Sequence, residues 1–183
     1  MWGINGGHGK AYASFVVYRG LSEGGHITLD KTSADVAVTD GNEEYTLAGA
    51  VYGVYQGGEL VAQFTTDEAG HGQTSEKLPN GDYTVREISA PDGYALSQEE
   101  FAVTISGEDA HVDAADAPVT VDLTLVKKDA ETLLPDPQGG ASLDGAEYEA
   151  TYLYGGEQVT VAGVVENSEL VFEGIPLGTV TIK

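Results

Sequence analysis

The chain repeats itself, and no other feature restricts its fold as much. His26-Ile27-Thr28-Leu29-Asp30-Lys31 matches Asp122-Leu123-Thr124-Leu125-Val126-Lys127. Leu47-Ala48-Gly49-Ala50-Val51-Tyr52 matches Leu143-Asp144-Gly145-Ala146-Glu147-Tyr148. Leu78-Pro79-Asn80-Gly81-Asp82-Tyr83-Thr84-Val85 matches Ile175-Pro176-Leu177-Gly178-Thr179-Val180-Thr181-Ile182. The first two blocks are offset by 96 residues and the third by 97. A nearly constant offset across three separated blocks means two copies of one domain. The expected division is an N-terminal segment over 1–24, a first copy over 25–118 and a second over 119–183. Ala117-Pro118 marks the boundary, and the second copy is expected to be truncated at its C-terminal side.

Each copy reads as short strands between turns. Ile27 to Lys31 alternates apolar and polar residues, Ala50 to Tyr55 is a second run and Glu59 to Thr65 a third. Asp67-Glu68-Ala69-Gly70 and Pro79-Asn80-Gly81-Asp82 are turn signals. Tyr83 to Glu87, Phe101 to Ile105 and His111 to Asp116 complete the copy. No segment keeps a 3.6-residue period free of Gly or Pro, so no helix is expected. Strands at this spacing indicate an all-β protein of tandem Ig-like β-sandwiches. Gly3 to Gly9 leads into Tyr12 to Tyr18, which reads as the last strand of a preceding domain.

Composition narrows the function. The chain carries 8 Lys+Arg against 30 Asp+Glu, a net charge of −22, and that field repels nucleic acid and anionic lipid. It contains no Cys, which excludes thiol catalysis and Cys-ligated zinc. No run is long and apolar enough to span a membrane. Met1-Trp2-Gly3 does not open a signal peptide, so an export signal or wall anchor is expected outside this segment. The four His, at 8, 26, 71 and 111, show no metal spacing, and no metal or other cofactor is expected. His71 is expected at a hairpin tip. Asp67 and Glu68 could ligate calcium, but a turn explains them more simply.

Strand parity singles out three polar residues. Ile27, Leu29 and Lys31 share the inward face of the first strand. Tyr83, Val85 and Glu87 share that of a middle strand, and Val112, Ala114 and Asp116 that of the last. Asp113 falls on the other side. Burying any one of the three charges alone would cost several kcal/mol. They therefore read either as a buried ion-pair cluster or as strand ends fraying into solvent, or else as a reactive set. In the reactive reading burial lowers the Lys31 pKa and raises those of the carboxyls. The amine then attacks Asp116 while Glu87 shuttles the proton, and an amide ties the first strand to the last.

Tyr83-Thr84-Val85-Arg86-Glu87-Ile88-Ser89-Ala90-Pro91-Asp92-Gly93-Tyr94 resembles the E-box, YxLxExxAPxGY, of Cna-B-type, SpaA-like pilin domains of Gram-positive bacteria. Leu47-Ala48-Gly49-Ala50 resembles the family's entry to its second strand, and Thr65-Thr66-Asp67-Glu68-Ala69-Gly70 its TTDxxG turn. The resemblance implies a prealbumin-like, reverse-Ig sandwich with an intramolecular isopeptide bond. It assigns the bonding lysine to Lys31, the assisting acid to Glu87 and the acceptor to Asp116. The family's usual Asn-x-Pro ending is replaced here by Asp116-Ala117-Pro118, so water would leave instead of ammonia. In the second copy Lys127 matches the bonding lysine, while its glutamate position would follow Lys183.

The implied role is a structural stalk or spacer of a wall-anchored surface protein or pilus, extracellular and not an enzyme. Its partners would be neighbouring domains of the same protein. Two alternatives stay open. One is an adhesin module for host extracellular ligands, which an exposed patch of Tyr52, Tyr55, Tyr152 and Tyr154 would support. The other is a transthyretin-like accessory domain of a larger extracellular enzyme.

Overall fold

The computed structural model describes residues 24–183, so the N-terminal segment with Tyr12 to Tyr18 and His8 lies outside the described residues. Seven strands precede Pro118: β1 (Ile27–Ser33), β2 (Val51–Gln56), β3 (Glu59–Thr65), β4 (His71–Gln73), β5 (Gly81–Ser89), β6 (Glu100–Ile105) and β7 (Ala110–Asp116). They form a three-stranded sheet of order β4-β1-β7 and a four-stranded sheet of order β3-β2-β5-β6. The pair β1–β7 is parallel, joining the first and last strands, and the other pairings are antiparallel.

Alternation builds the core between these sheets. Ile27 and Leu29 of β1 and Val112 and Ala114 of β7 face Tyr52, Val54, Phe64, Tyr83, Val85 and Ile105. Fully burying a side chain of this size contributes roughly 1.5–3 kcal/mol. Two glycines allow the close approach. A Cβ on Gly72 of β4 would lie 2.7 Å from the Phe64 ring. One on Gly70, whose φ is +82°, would lie 2.3 Å from the Lys31 carbonyl oxygen.

After Pro118 come β8 (Thr120–Val126), β9 (Glu147–Tyr154), β10 (Glu157–Val164), β11 (Glu169–Pro176) and β12 (Thr181–Ile182). They pair as β11-β8 and β10-β9-β12. Ala150, Phe172 and Ile175 are buried between them. Among the described residues no sheet contains strands from both sides of Pro118.

The all-β architecture agrees with the sequence reading, with two differences. A single helical turn, α1 (Val36–Thr39), follows β1, its first turn capped by the Asp35 carboxylate on Ala37 N at 3.1 Å. Four residues are too few to show a helical period. His71 lies within the short strand β4, not at a hairpin tip, and pairs with Asp30 in register. His71-Gly72-Gln73 has no apolar alternation, so its sequence carries no strand signal.

Candidate functional site

Three strands of the first unit end on one buried cluster. Lys31 is 1% exposed, Asp116 2% and Glu87 7%. Each continues an inward row: Ile27, Leu29, Lys31 on β1; Tyr83, Val85, Glu87 on β5; Val112, Ala114, Asp116 on β7. Asp113 points outward. In the parallel pair Lys31 stands beside Ala114 and Ser33 beside Asp116, so Lys31 and Asp116 meet diagonally across β1 and β7.

The Lys31 ammonium donates to Asp116 Oδ2, to Glu87 Oε1 at 3.0 Å and to the Tyr52 hydroxyl at 3.2 Å. Its Nζ lies 5.5 Å from the Tyr52 ring centroid and 5.9 Å from that of Tyr94. Both rings thus add cation–π attraction in a water-poor pocket. The other Glu87 oxygen accepts from Ser97 N at 2.9 Å. Asp116 Oδ1 is a buried side-chain oxygen with no hydrogen-bond partner.

The local sequence explains the assembly. Lys31 N donates to the Gly70 carbonyl at 2.9 Å, which seats the turn after β3 against the lysine. Asp67 Oδ1 caps that turn, accepting from Ala69 N and His71 N at 2.9 Å each, as the turn reading of Asp67 requires. Buried Thr66 donates to the Leu47 carbonyl at 2.6 Å and accepts from Ala50 N at 3.1 Å. The Leu47–Ala50 and Thr65–Gly70 motifs therefore hold each other. The Pro91–Tyr94 segment runs back along the end of β7: Val119 N donates to the Gly93 carbonyl at 2.7 Å and Ala95 N to the Ala117 carbonyl at 3.1 Å. That return brings the Tyr94 ring and Ser97 N over the cluster.

The electrostatics differ from the sequence expectation in one respect. Burial pulls the Lys31 ammonium down, but hydrogen bonds from it to Asp116 and Glu87 outweigh burial and hold its pKa above the ordinary value. Burial raises the Glu87 carboxyl against the opposing bonds from Ser97 and Lys31. Burial also pushes the Tyr52 hydroxyl up to about 12. Lys31 is thus held as the ammonium beside its carboxylates, and to act as a nucleophile it would first have to pass a proton to one of them.

Sequence reasoning missed Tyr52, Tyr94 and Ser97 as members of this site. Tyr52 sits directly opposite Glu87 in the β2–β5 register, a pairing that a correct antiparallel alignment would have exposed. The suggested tyrosine patch is not formed. Tyr52 is 1% exposed in the first core, and Tyr152 packs against the second. In the second unit Lys127 is half-buried, with Nζ 5.7 Å from the Tyr148 ring centroid.

Comparison with known proteins places this geometry in context. A family model described as SpaA, prealbumin-like fold domain, matches residues 26–118. The trypsin-resistant surface T6 protein of Streptococcus pyogenes serotype M6 is 36% identical over 59 residues, covering 32% of this chain and 11% of its own length. The solved structure of the Bacillus anthracis TIE protein superposes with a TM-score of 0.64 at 27% identity, over 87% of this chain and 27% of that one. GBS52, the minor pilin of Streptococcus agalactiae, is 26% identical with a TM-score of 0.43, over 55% of this chain and 47% of its own. The chain spans a small part of the first two relatives and about half of the third.

Proposed function

The chain belongs to the SpaA family of prealbumin-like fold domains, and we propose that it is a structural segment of a Gram-positive surface protein or pilus, built from two copies of one module and cross-linked in the first. Its place is outside the cell, joined to neighbouring domains of the same wall-anchored protein, and its chemistry is one intramolecular turnover with no further substrate. The observation that carries the reading is the buried contact of the Lys31 amine with the Asp116 carboxylate, with Glu87 on the same nitrogen.

Glu87 takes a proton from the Lys31 ammonium and passes it to Asp116. The neutral amine adds to Asp116 Cγ. Glu87 then moves a proton from that nitrogen to the departing oxygen, the Cγ–O bond breaks and water leaves. The product is a Lys31–Asp116 amide and Glu87 is again a carboxylate. The amide has one fewer acceptor to satisfy than the carboxylate, which suits a pocket where Asp116 Oδ1 has no partner. Tyr52 and Tyr94 hold the amine in line, and Ser97 N holds Glu87.

Strands β1 and β7 are the first and last of the module, so force applied to its ends enters there. A covalent tie between them leaves the intervening chain unloaded. Intact-mass spectrometry of the folded chain should show the loss of one water, and proteolytic mapping a branched peptide joining Lys31 and Asp116. Glu87→Ala and Lys31→Ala should each keep their full sequence mass. A native chain that keeps its full mass after complete folding would reduce the site to a buried ion-pair cluster.

A further inference from the structure

The outer face of the β4-β1-β7 sheet carries a second cluster, behind the buried one and independent of it. In register, Asp30 of β1 stands between His71 of β4 and Asp113 of β7, and His111 stands beside Thr28, two residues before Asp113. Asp30 Oδ1 contacts His71 Nδ1. On the other side His111 Nε2 lies 3.3 Å from Asp113 Oδ1 and 3.8 Å from Asp30 Oδ2. One donor atom from each of Asp30, His111 and Asp113 lies within 4.8 Å of the other two.

The His111 ring turns Nε2 toward this point and Nδ1 toward Thr28. Thr28 Oγ1 lies 3.3 Å from the Ala110 carbonyl, to which it can donate, and 2.9 Å from His111 Nδ1. With the ring proton on Nδ1, Thr28 Oγ1 accepts from it at 2.9 Å, and the Nε2 lone pair is then available on the side of the carboxylates. In the metal-free chain an Nε2 proton can instead bridge to Asp113 Oδ1 at 3.3 Å, and a cation that displaces it meets three converging ligand atoms. Two of them are carboxylates directly opposed on neighbouring strands, an arrangement that destabilises a sheet unless a cation sits between them. The net charge of −22 enriches cations at such a surface.

We propose that this point binds a borderline divalent cation of the Zn²⁺ class through His111 Nε2, Asp30 Oδ2 and Asp113 Oδ1. Donors about 2.0–2.2 Å from zinc at tetrahedral angles stand roughly 3.3–3.5 Å apart. The observed 3.3 and 3.8 Å need only small side-chain adjustments. An imidazole beside two carboxylates favours zinc over the all-oxygen shells of calcium and magnesium. His71 orients Asp30 from its other oxygen, and Thr28 orients His111, the usual supporting contacts of such ligands. The exposed side leaves a fourth position for water or a ligand donor. The ion would clip β1 to β7 on the outer face of the strand pair whose inner face carries Lys31 and Asp116. Sequence spacing could not show this set, because β1 and β7, far apart in sequence, bring the ligands together and β4 adds His71.

The test uses the full chain freed of metal with EDTA and titrated with Zn²⁺ by calorimetry and by NMR of the histidine rings. One equivalent should bind saturably and move the His111 and His71 signals but not that of His26. Calcium at equal concentration should not compete. His111→Ala with Asp113→Asn should weaken binding by more than about tenfold without loss of folding, and His71→Ala by about tenfold at unchanged stoichiometry. Thr28→Val should weaken binding, because it removes the contact that orients the His111 ring. Equal Zn²⁺ affinity in the His111/Asp113 double variant, a response confined to His8 or the terminal amine, or equal competition by calcium would overturn the assignment.

Discussion

Lys31 and Lys127 occupy the same position in two copies of one sequence pattern, yet they sit in different chemistry. Both place the ammonium over a tyrosine, at 5.5 Å for Tyr52 and 5.7 Å for Tyr148. That feature needs only a strand, its parity and its partner across the core, all of which lie within the repeated blocks. The difference is in the carboxylates. Lys31 has Glu87 from β5 and Asp116 from β7 and is buried. Lys127 is half-buried and forms no ion pair among the described residues. In the first unit β1 lies between β4 and β7, whereas β8 pairs only with β11 among the described residues. A lysine and its aromatic shelf are thus local products of the repeat, but the buried ion-pair cluster also draws on β5 and β7.

The strongest test of that contrast substitutes the two lysines. If the proposed amide forms, Lys31→Ala removes a cross-link between residues 85 positions apart, which the chain-entropy model values at about 4–5 kcal/mol. It also leaves two carboxyls buried without their cation. Lys127→Ala removes only a half-exposed cation–π contact, worth about 0.5–1 kcal/mol. Guanidinium unfolding of the two variants beside the native chain should show this order. Comparable losses would mean that Lys127 has partners equal to those of Lys31.

Much of this was legible in the residues, for a physical reason. A strand alternates strictly, so two apolar residues fix which face the third residue joins, and Lys31, Glu87 and Asp116 followed from parity alone. Pairing is a different kind of information. Tyr52 looked like a surface aromatic because nothing in its own strand says that Glu87 lies opposite it. His71, His111, Asp30 and Asp113 looked unrelated for the same reason: a parallel β1–β7 pair joins residues about eighty apart, and no local spacing encodes that. Ser97 contributes a backbone N–H, which any residue but proline supplies, so its identity carried no signal.

The two units also meet, and the contact can be weakened without touching either core. Tyr45 packs with Val38, Tyr94, Leu47 and Leu177. Its hydroxyl donates to the Val119 carbonyl at 2.6 Å and accepts from Leu177 N at 2.8 Å. Asn42 Nδ2 donates to the Leu177 carbonyl at 2.9 Å, and Gly155 N to the Ala37 carbonyl at 2.7 Å. The loop carrying α1 thus docks on the second unit. Tyr45→Phe should cost about 1–2 kcal/mol, since it leaves two partly buried backbone groups unpartnered. Calorimetry should show the transition of residues 119–183 moving down while that of the first unit holds. A single transition that shifts as a whole would show that the units unfold together, and the contrast between them would then be chemical and not thermodynamic.

The smallest effect separates the units by pH. All four histidines precede residue 119, so any stability change near neutral pH must originate before the second unit. The Asp30 hydrogen bond and charge raise the His71 pKa, with a smaller contribution from Asp67. A histidine whose folded pKa lies above its unfolded value of 6.5 stabilises the fold fully below that value. The contribution fades as pH rises through the raised folded pKa. With EDTA present, the melting temperature of the first unit should therefore drift down slightly as pH rises from about 6 to about 8. His71→Ala should flatten that drift, and the transition of residues 119–183 should not respond in either protein. The groups facing His71 are acidic, Asp30 beside it and Asp67 in the turn before it, so rising pH can only remove attraction there. An upward drift in the native chain would mean that repulsion among Asp30, Asp113 and their neighbours is not what His71 relieves.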